Sequence, residues 1–351
     1  MRIFVLLPLM FWVATTPVRL TIDASRINPP NLSDISYRCT AIHLKISNFN
    51  PLGIEKVYII KNNLYILQRY QESSIHYSHV FVCDTLGNLK RELIAVDPIS
   101  KETMQIIDMQ YDMINHRIYL LYSDGYRTFD SDGKLVQQKT KIKTESNFKY
   151  VFIYNEQFWS VENSFSKGEA NYSLVHTDLN GLSKDTVISK NFNLPSFLVE
   201  KGIAIYASPS FSIYNKKLFV SLGIDNTIYS INQSSLVPEY KFEIKGSTSS
   251  SSIDMFGGQK QIILSRFIKY GYRLNGISYD FLYDMENKKS YNIKYILDHN
   301  ECILGIKDDV FKTGFFKLNP TNDENYVFFF KKPDKTNNNL SSPTIFLVKL
   351  K

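Results

Sequence analysis

Asn115–Leu135 reads NHRIYLLYSDGYRTFDSDGKL, and its plan recurs five more times along the chain. An apolar run (Ile118–Tyr122) leads through a polar turn to a short strand, Tyr126–Phe129. An acidic Gly turn, Asp130-Ser131-Asp132-Gly133, then closes the unit and starts a last strand. Asp and Gly belong in such turns because Gly tolerates positive φ and the Asp carboxylate bonds nearby backbone N–H groups. The unit is a β-meander, and repeated meanders build a propeller.

The second strands begin near Leu64, Ile118, Phe158, Leu218, Ile262 and Val327, spaced 54, 40, 60, 44 and 65 residues apart. The steps are irregular but of blade size. Ile118-Tyr119-Leu120-Leu121-Tyr122 and Tyr326-Val327-Phe328-Phe329-Phe330 are apolar on both strand faces, as expected where neighbouring blades cover both. Five units carry four strand candidates each. The fifth has Ser252–Phe256, Gln261–Arg266, Gly276–Asp284 and Ser290–Tyr295. The sixth has only Thr313–Leu318, Asn325–Lys331 and Thr344–Lys349. A lone strand, Tyr37–Ser47, is free to complete the sixth and remove its open edge. The expected fold is all-β: a six-bladed β-propeller of four-stranded antiparallel blades, its ring closed by an N-terminal strand.

Composition agrees. The 351 residues include 23 Tyr and 24 Phe but only 2 Trp, and a hydrophobic fraction of 44% is enough for a large core. Met1–Ala14 (MRIFVLLPLMFWVA) has one basic residue followed by an apolar stretch too short to span a bilayer, with small and polar residues after it. This is the plan of a secretory signal peptide. The expected division is a signal peptide over 1–21, a surface leader over 22–36 and one propeller domain over 37–351. No later stretch reads as a membrane span. The expected protein is an exported monomer.

The net charge of +7 comes from scattered lysines. The densest spots, Lys141/Lys143 and Lys331-Lys332, make no nucleic-acid patch. Cys39, Cys83 and Cys302 have no metal spacing, which leaves either one disulfide and one thiol or three independent thiols.

The tripeptides Ile107-Asp108-Met109 and Ile253-Asp254-Met255 each fall in an expected first strand. Innermost strands line a propeller's channel, so Asp108 and Asp254 are candidates for a shared divalent cation or a cationic ligand there. The alternative is strand capping or pairing with lysine. No resident cofactor is evident from any motif. Tyr122, Tyr126, Tyr270 and Tyr272 are candidates for an aromatic rim on which sugars stack. His76 and His79 do not suit a metal pair, because in an extended segment they face opposite ways. Asp308 and Asp309 diverge for the same reason. GxSxG, HExxH, P-loop and GxGxxG motifs do not occur.

Asp308-Asp309-Val310-Phe311-Lys312-Thr313-Gly314 and the ending Pro343–Lys351, on this meander plan, resemble the Bacteroides-type six-bladed β-propeller family over about residues 40 to 351. The resemblance implies an exported propeller at the cell envelope, with no agreed activity. Family members commonly carry a lipoprotein cysteine after the signal peptide, where this chain has Thr15-Thr16-Pro17. Lipid anchoring is therefore not expected. Ala95–Lys101 also departs from the Gly-Pro-Gly-rich loop common between the family's first two blades. Two functions follow as expectations: a propeller that binds a protein or a glycan, or a lyase- or lactonase-type enzyme with a metal-dependent site at the channel.

Overall fold

The computed structural model describes residues 16–46, 49, 53–72, 75–93, 105–123, 125–140, 151–166, 169–179, 184–193, 209–222, 226–232, 235–245, 261–274, 277–298, 301–331 and 343–351. The chain opens with β1 (Val18–Asp23), a four-residue helix α1 (Leu32–Ile35) and β2 (Ser36–His43). Blade 1 follows as β3 (Ile54–Ile60), β4 (Asn63–Glu72), β5 (Ile75–Asp84) and β6 (Leu89–Glu92). Blade 2 is β7 (Asp108–Asp112), β8 (Arg117–Leu121), β9 (Gly125–Asp130) and β10 (Leu135–Thr140). Blade 3 is β11 (Phe152–Tyr154), β12 (Gln157–Ser166), β13 (Glu169–Asp178) and β14 (Lys184–Asn193). Blade 4 is β15 (Ser210–Tyr214), β16 (Lys217–Ser221), β17 (Thr227–Asn232) and β18 (Ser235–Lys245).

Blade 5 has β19 (Gln261–Leu264), β20 (Phe267–Leu274), β21 (Ile277–Asp284), β22 (Lys289–Asp298) and an extra outer strand, β23 (Glu301–Leu304). A small hairpin follows, β24 (Ile306–Asp308) with β25 (Gly314–Phe316). Blade 6 is β26 (Asn319–Pro320), β27 (Tyr326–Lys331) and β28 (Thr344–Leu350), completed by β2, which pairs antiparallel with β28. The N-terminal strand closes the ring as expected.

Six apolar clusters show how the ring holds. Leu67, Val80, Ile118 and Leu120 pack between blades 1 and 2; Tyr126, Ile153 and Phe158 between 2 and 3; Trp159, Leu174, Leu218 and Tyr229 between 3 and 4. Ile228, Phe242, Tyr270 and Phe281 pack between 4 and 5; Leu282, Ile293, Phe329 and Phe346 between 5 and 6; Ile42, Ile345, Val57 and Ile66 between 6 and 1. Each cluster joins consecutive blades, and the last joins the end of the chain to its beginning. Burial is thus continuous around the circle, and it is the main favourable contribution to a fold of this kind.

Tyrosine serves these interfaces because its ring is apolar while its hydroxyl can reach a polar partner. Tyr58 donates to the Met109 carbonyl at 2.8 Å, Tyr65 to Ser131 at 3.0 Å and Tyr154 to Lys216 at 2.8 Å, each crossing to the next blade.

Three boundaries differ from expectation. β1 begins at Val18, so a signal segment drawn to Thr21 and a leader drawn from Ile22 both cut one strand. β1 pairs in parallel with the outer strand of blade 4, Val18 opposite Tyr240 and Asp23 opposite Lys245. In blade 5, Gln261–Arg266 is not a single strand: Ser265 sits at φ 52° in a turn between β19 and β20. That turn lacks the Asn-Gly or Asp-Gly chemistry by which hairpins are recognised. In blade 6, Thr313–Leu318 is not the inner strand; its middle pairs with β24, and the inner strand is the two-residue β26. Cys39, Cys83 and Cys302 are free thiols, and burial pushes the Cys83 thiol up to about 12.

Candidate functional site

In an antiparallel meander, the first–second and third–fourth turns lie on one face of the ring. The second–third hairpin tips and the blade-to-blade connections lie on the other. These are called here the turn face and the loop face.

The turn face is held by carboxylates. Asp84 accepts from the amides of Leu86 and Asn88, both at 2.9 Å, and Asp130 from those of Asp132 and Lys134 at 3.0 and 2.8 Å. Asp284 repeats the pattern with Glu286 and Asn287, both at 3.1 Å. Hydrogen bonds from the Asn88 side chain and amide hold Asp84 below the usual carboxylate range. Asp130-Ser131-Asp132-Gly133 is therefore turn chemistry, with Gly133 at φ 77°.

The same face carries a loop over the channel mouth. Blades 1, 3, 4 and 5 join their first two strands through two residues (61–62, 155–156, 215–216 and 265–266), but blade 6 uses five, Thr321–Asn325. Within that loop, Asn322 accepts from the Ile59 amide at 2.6 Å and donates to the Ile59 carbonyl at 3.0 Å, on blade 1. Glu324 accepts from the Asn215 amide at 3.2 Å, on blade 4. Blades 1 and 4 are opposite in a ring of six. The loop therefore reaches across the mouth of the channel on this face. Burial, together with nearby Asp323, raises the Glu324 pKa, and the Asn215 amide opposes the shift.

The loop face is built differently. β4 and β5 are ten residues each, and they run past β3, which ends opposite Gln68, and past β6, which ends opposite Phe81. A ribbon of pairs therefore stands proud: Arg69 opposite Ser78, Tyr70 opposite Tyr77, Gln71 opposite His76. It is pinned to the start of blade 2. The Ser78 hydroxyl accepts from the Ile106 amide at 2.8 Å, and Arg69 Nη1 donates to the Ile107 carbonyl at 2.5 Å. Arg69 Nε also donates to Glu55 Oε2 at 2.7 Å, and Nη2 reaches the same oxygen. Against this ribbon lies an open cleft of about 250 Å³, lined by Glu55, Arg69, Tyr70, Gln71, His76, Tyr77 and Gln105. The Tyr70 and Tyr77 rings stack with centroids 5.0 Å apart and planes 15° from parallel.

Asp108, the first residue of β7, lies beside this region, but it is engaged. Its Oδ1 is 2.6 Å from Lys56 Nζ and its Oδ2 accepts from Gln110 at 2.5 Å. Burial disfavours the Lys56 ammonium, yet Asp108 and the Tyr58 hydroxyl outweigh it and hold its pKa above the ordinary lysine value. Lysine pairing is thus the structure's use of this carboxylate. Asp254 lies outside the described residues. Among the described residues, no group of three or more His, Cys, Asp or Glu is placed to hold a metal ion.

The four rim tyrosines are inside the protein, which corrects the stacking expectation. Tyr122 and Tyr272 are 2% exposed, and Tyr126 and Tyr270 are 0% exposed. Tyr126 donates to the Leu179 carbonyl, Tyr270 to Asn226 and Tyr272 to Asn292. They pack between blades because a strand covered on both faces has no solvent side to give them. His76 and His79 lie in the extended β5 on opposite faces, and His79 Nδ1 is 2.6 Å from Glu92. Asp308 and Asp309 diverge: Asp308 accepts from the Val310, Phe311 and Thr313 amides, whereas Asp309 accepts from Ser33 in α1. The cleft residues Glu55, Arg69, Gln71 and Gln105 were not expected. The legible signal was the pair Ser73-Ser74, flanked by runs able to continue both strands.

These features define a six-bladed propeller of meander blades with a loop across its turn face and a cleft on its loop face. The chain matches the model of the DUF5128 family, described as a 6-bladed beta-propeller, over residues 18–337, and it belongs to that family. The match starts where β1 starts. A solved structure of a Bacteroides fragilis protein expected to be exported is similar over 96% of this chain and 100% of that one, with 13% identity and a TM-score of 0.57. A DUF4221 member from Bacteroides vulgatus aligns over 93% and 99%, with 10% identity and a TM-score of 0.41. No curated protein matches the chain. No helix among the described residues is long and apolar enough to cross a membrane.

Proposed function

We propose that this chain is an exported binding propeller of the bacterial cell envelope that takes its ligand, a glycan or a protein, on the loop face between blades 1 and 2. The observation that carries the reading is the contrast between faces. One is bridged by Thr321–Asn325, and the other carries a pinned, projecting ribbon with an open polar cleft. A pre-formed concave site with a few convergent polar groups is the usual form of a ligand site. The pattern of Met1–Ala14 and the expected export of the similar Bacteroides fragilis protein support the location. A metal-dependent enzyme is the weaker reading, because the Asp108 carboxylate is held by Lys56 and Gln110.

The test compares faces. Gln71→Arg and His76→Arg alter the cleft, whereas Lys134→Glu and Glu286→Arg alter exposed positions of the turn face. Binding to arrays of glycans and envelope proteins is expected to be lost only in the first pair. Loss only in the second pair would overturn the assignment of the face.

A further inference from the structure

We infer that the loop-face cleft recognises an uncharged sugar residue of a glycan. This inference rests on the binding reading above and specifies its ligand.

Size comes first. At about 250 Å³ the cleft is below the roughly 300–1,000 Å³ of sites for drug-sized ligands, so it holds a single residue of a longer chain. Charge comes next. The one arginine and the one carboxylate that line it are spent on each other: Arg69 Nε and Nη2 both donate to Glu55 Oε2, and Nη1 donates to the Ile107 carbonyl. An anionic ligand would have to compete with Glu55 for Arg69, and a cationic one with Arg69 for Glu55. A neutral ligand displaces neither.

Polar chemistry and shape narrow the class further. Gln105 carries an amide oxygen that accepts and an amide nitrogen that donates, and Glu55 keeps a second carboxylate oxygen. Neighbouring hydroxyls on a sugar ring, each donor and acceptor at once, match such planar groups. Tyr70 and Tyr77 add aromatic surface, and the C–H face of a sugar ring packs on such surface. Alternate residues of a strand face opposite ways, so Arg69, Gln71 and His76 share one face of the ribbon and the tyrosines the other. The cleft draws on both. Finally, the site is built before ligand arrives, because the ribbon is fixed by Ser78, Arg69 and Glu55, so little ordering is needed on binding.

The experiment is titration calorimetry of the folded chain with neutral gluco-, manno-, galacto- and xylo-oligosaccharides, with uronic acid oligomers and peptides as controls. A neutral oligosaccharide is expected to bind. Tyr77→Ala should weaken it about tenfold, Tyr77→Phe should leave it within about twofold, and Gln105→Ala should weaken it by about fivefold. Unchanged thermal midpoints confirm that the variants are folded. No binding by any neutral sugar, or binding indifferent to both Tyr77→Ala and Gln105→Ala, would overturn the inference. If uronic acid oligomers or peptides bind instead and Tyr77→Ala abolishes that binding, the sugar assignment falls and the loop-face reading stands.

Discussion

Asp112 shows what a single carboxylate does in this fold. It is 0% exposed at the end of the first strand of blade 2. It accepts from the Ile114 amide at 3.0 Å and Asn115 Nδ2 at 2.9 Å within its own turn. It also accepts from the Asn155 and Glu156 amides at 3.2 and 2.8 Å in the next blade. Those two residues have φ of 52° and 57°, so the carboxylate fixes a left-handed turn as well as a blade contact. Asp112→Ala leaves these donors without a partner and should cost about 3 kcal/mol, read by urea denaturation. Gly87 makes a comparable contact without a side chain: at φ 83°, an added Cβ would lie 1.9 Å from the His43 carbonyl oxygen. Such residues were only half legible. The Asp and Gly identities announced turns, but a sequence does not show that a turn's carboxylate reaches the neighbouring blade. The rim tyrosines failed for a related reason, since ring and hydroxyl suit a solvent platform and a buried interface equally well.

Among the elements, the N-terminal segment has the widest reach. β1 extends blade 4, and Asn28 then exchanges hydrogen bonds with Asn292 and Ser290 on blade 5. α1 buries Leu32 and Ile35 in the cluster between blades 5 and 6, and β2 completes blade 6. One strap thus binds three consecutive blades. Ile22, 0% exposed, is its deepest anchor on blade 4, and Ile22→Ala should cost about 2–4 kcal/mol by the same urea measurement. β1 was not legible beforehand, because a six-residue strand beside an apolar export pattern is read with that pattern.

The Thr321–Asn325 loop carries a pH signature. The Glu324 pKa is raised in the folded chain, so between 4.5 and the raised value the folded state binds more protons than the unfolded one. Stability from this group is complete below 4.5 and declines as pH rises through the folded value. Glu324→Gln keeps an acceptor for the Asn215 amide and removes the charge. Its melting temperature should match the parent at pH 4 and exceed it at pH 7, by no more than about 2 °C because the site is part-exposed. A variant less stable than the parent at pH 7 would show that the ionised carboxylate is needed.

On the scale of the whole molecule, periodicity made the ring legible. Apolar second strands, acidic turns and a missing sixth-unit strand led to six blades and closure by the N-terminal strand, and the structure has both. What periodicity could not provide was the difference between the two faces. That difference lies in departures from the repeat: a five-residue turn where four of the blades use two, and a second–third hairpin longer than those of blades 2 and 6 on either side. A site built from such departures leaves no motif.

On the proposed reading, ligand meets the loop face alone. Hydrogen–deuterium exchange of the full chain, with and without the neutral oligosaccharide that binds it, tests this most directly. Protection is predicted in 69–78 and 105–107, with none in 61–62, 155–156, 215–216 or 321–325. Protection confined to those turn-face segments would contradict it.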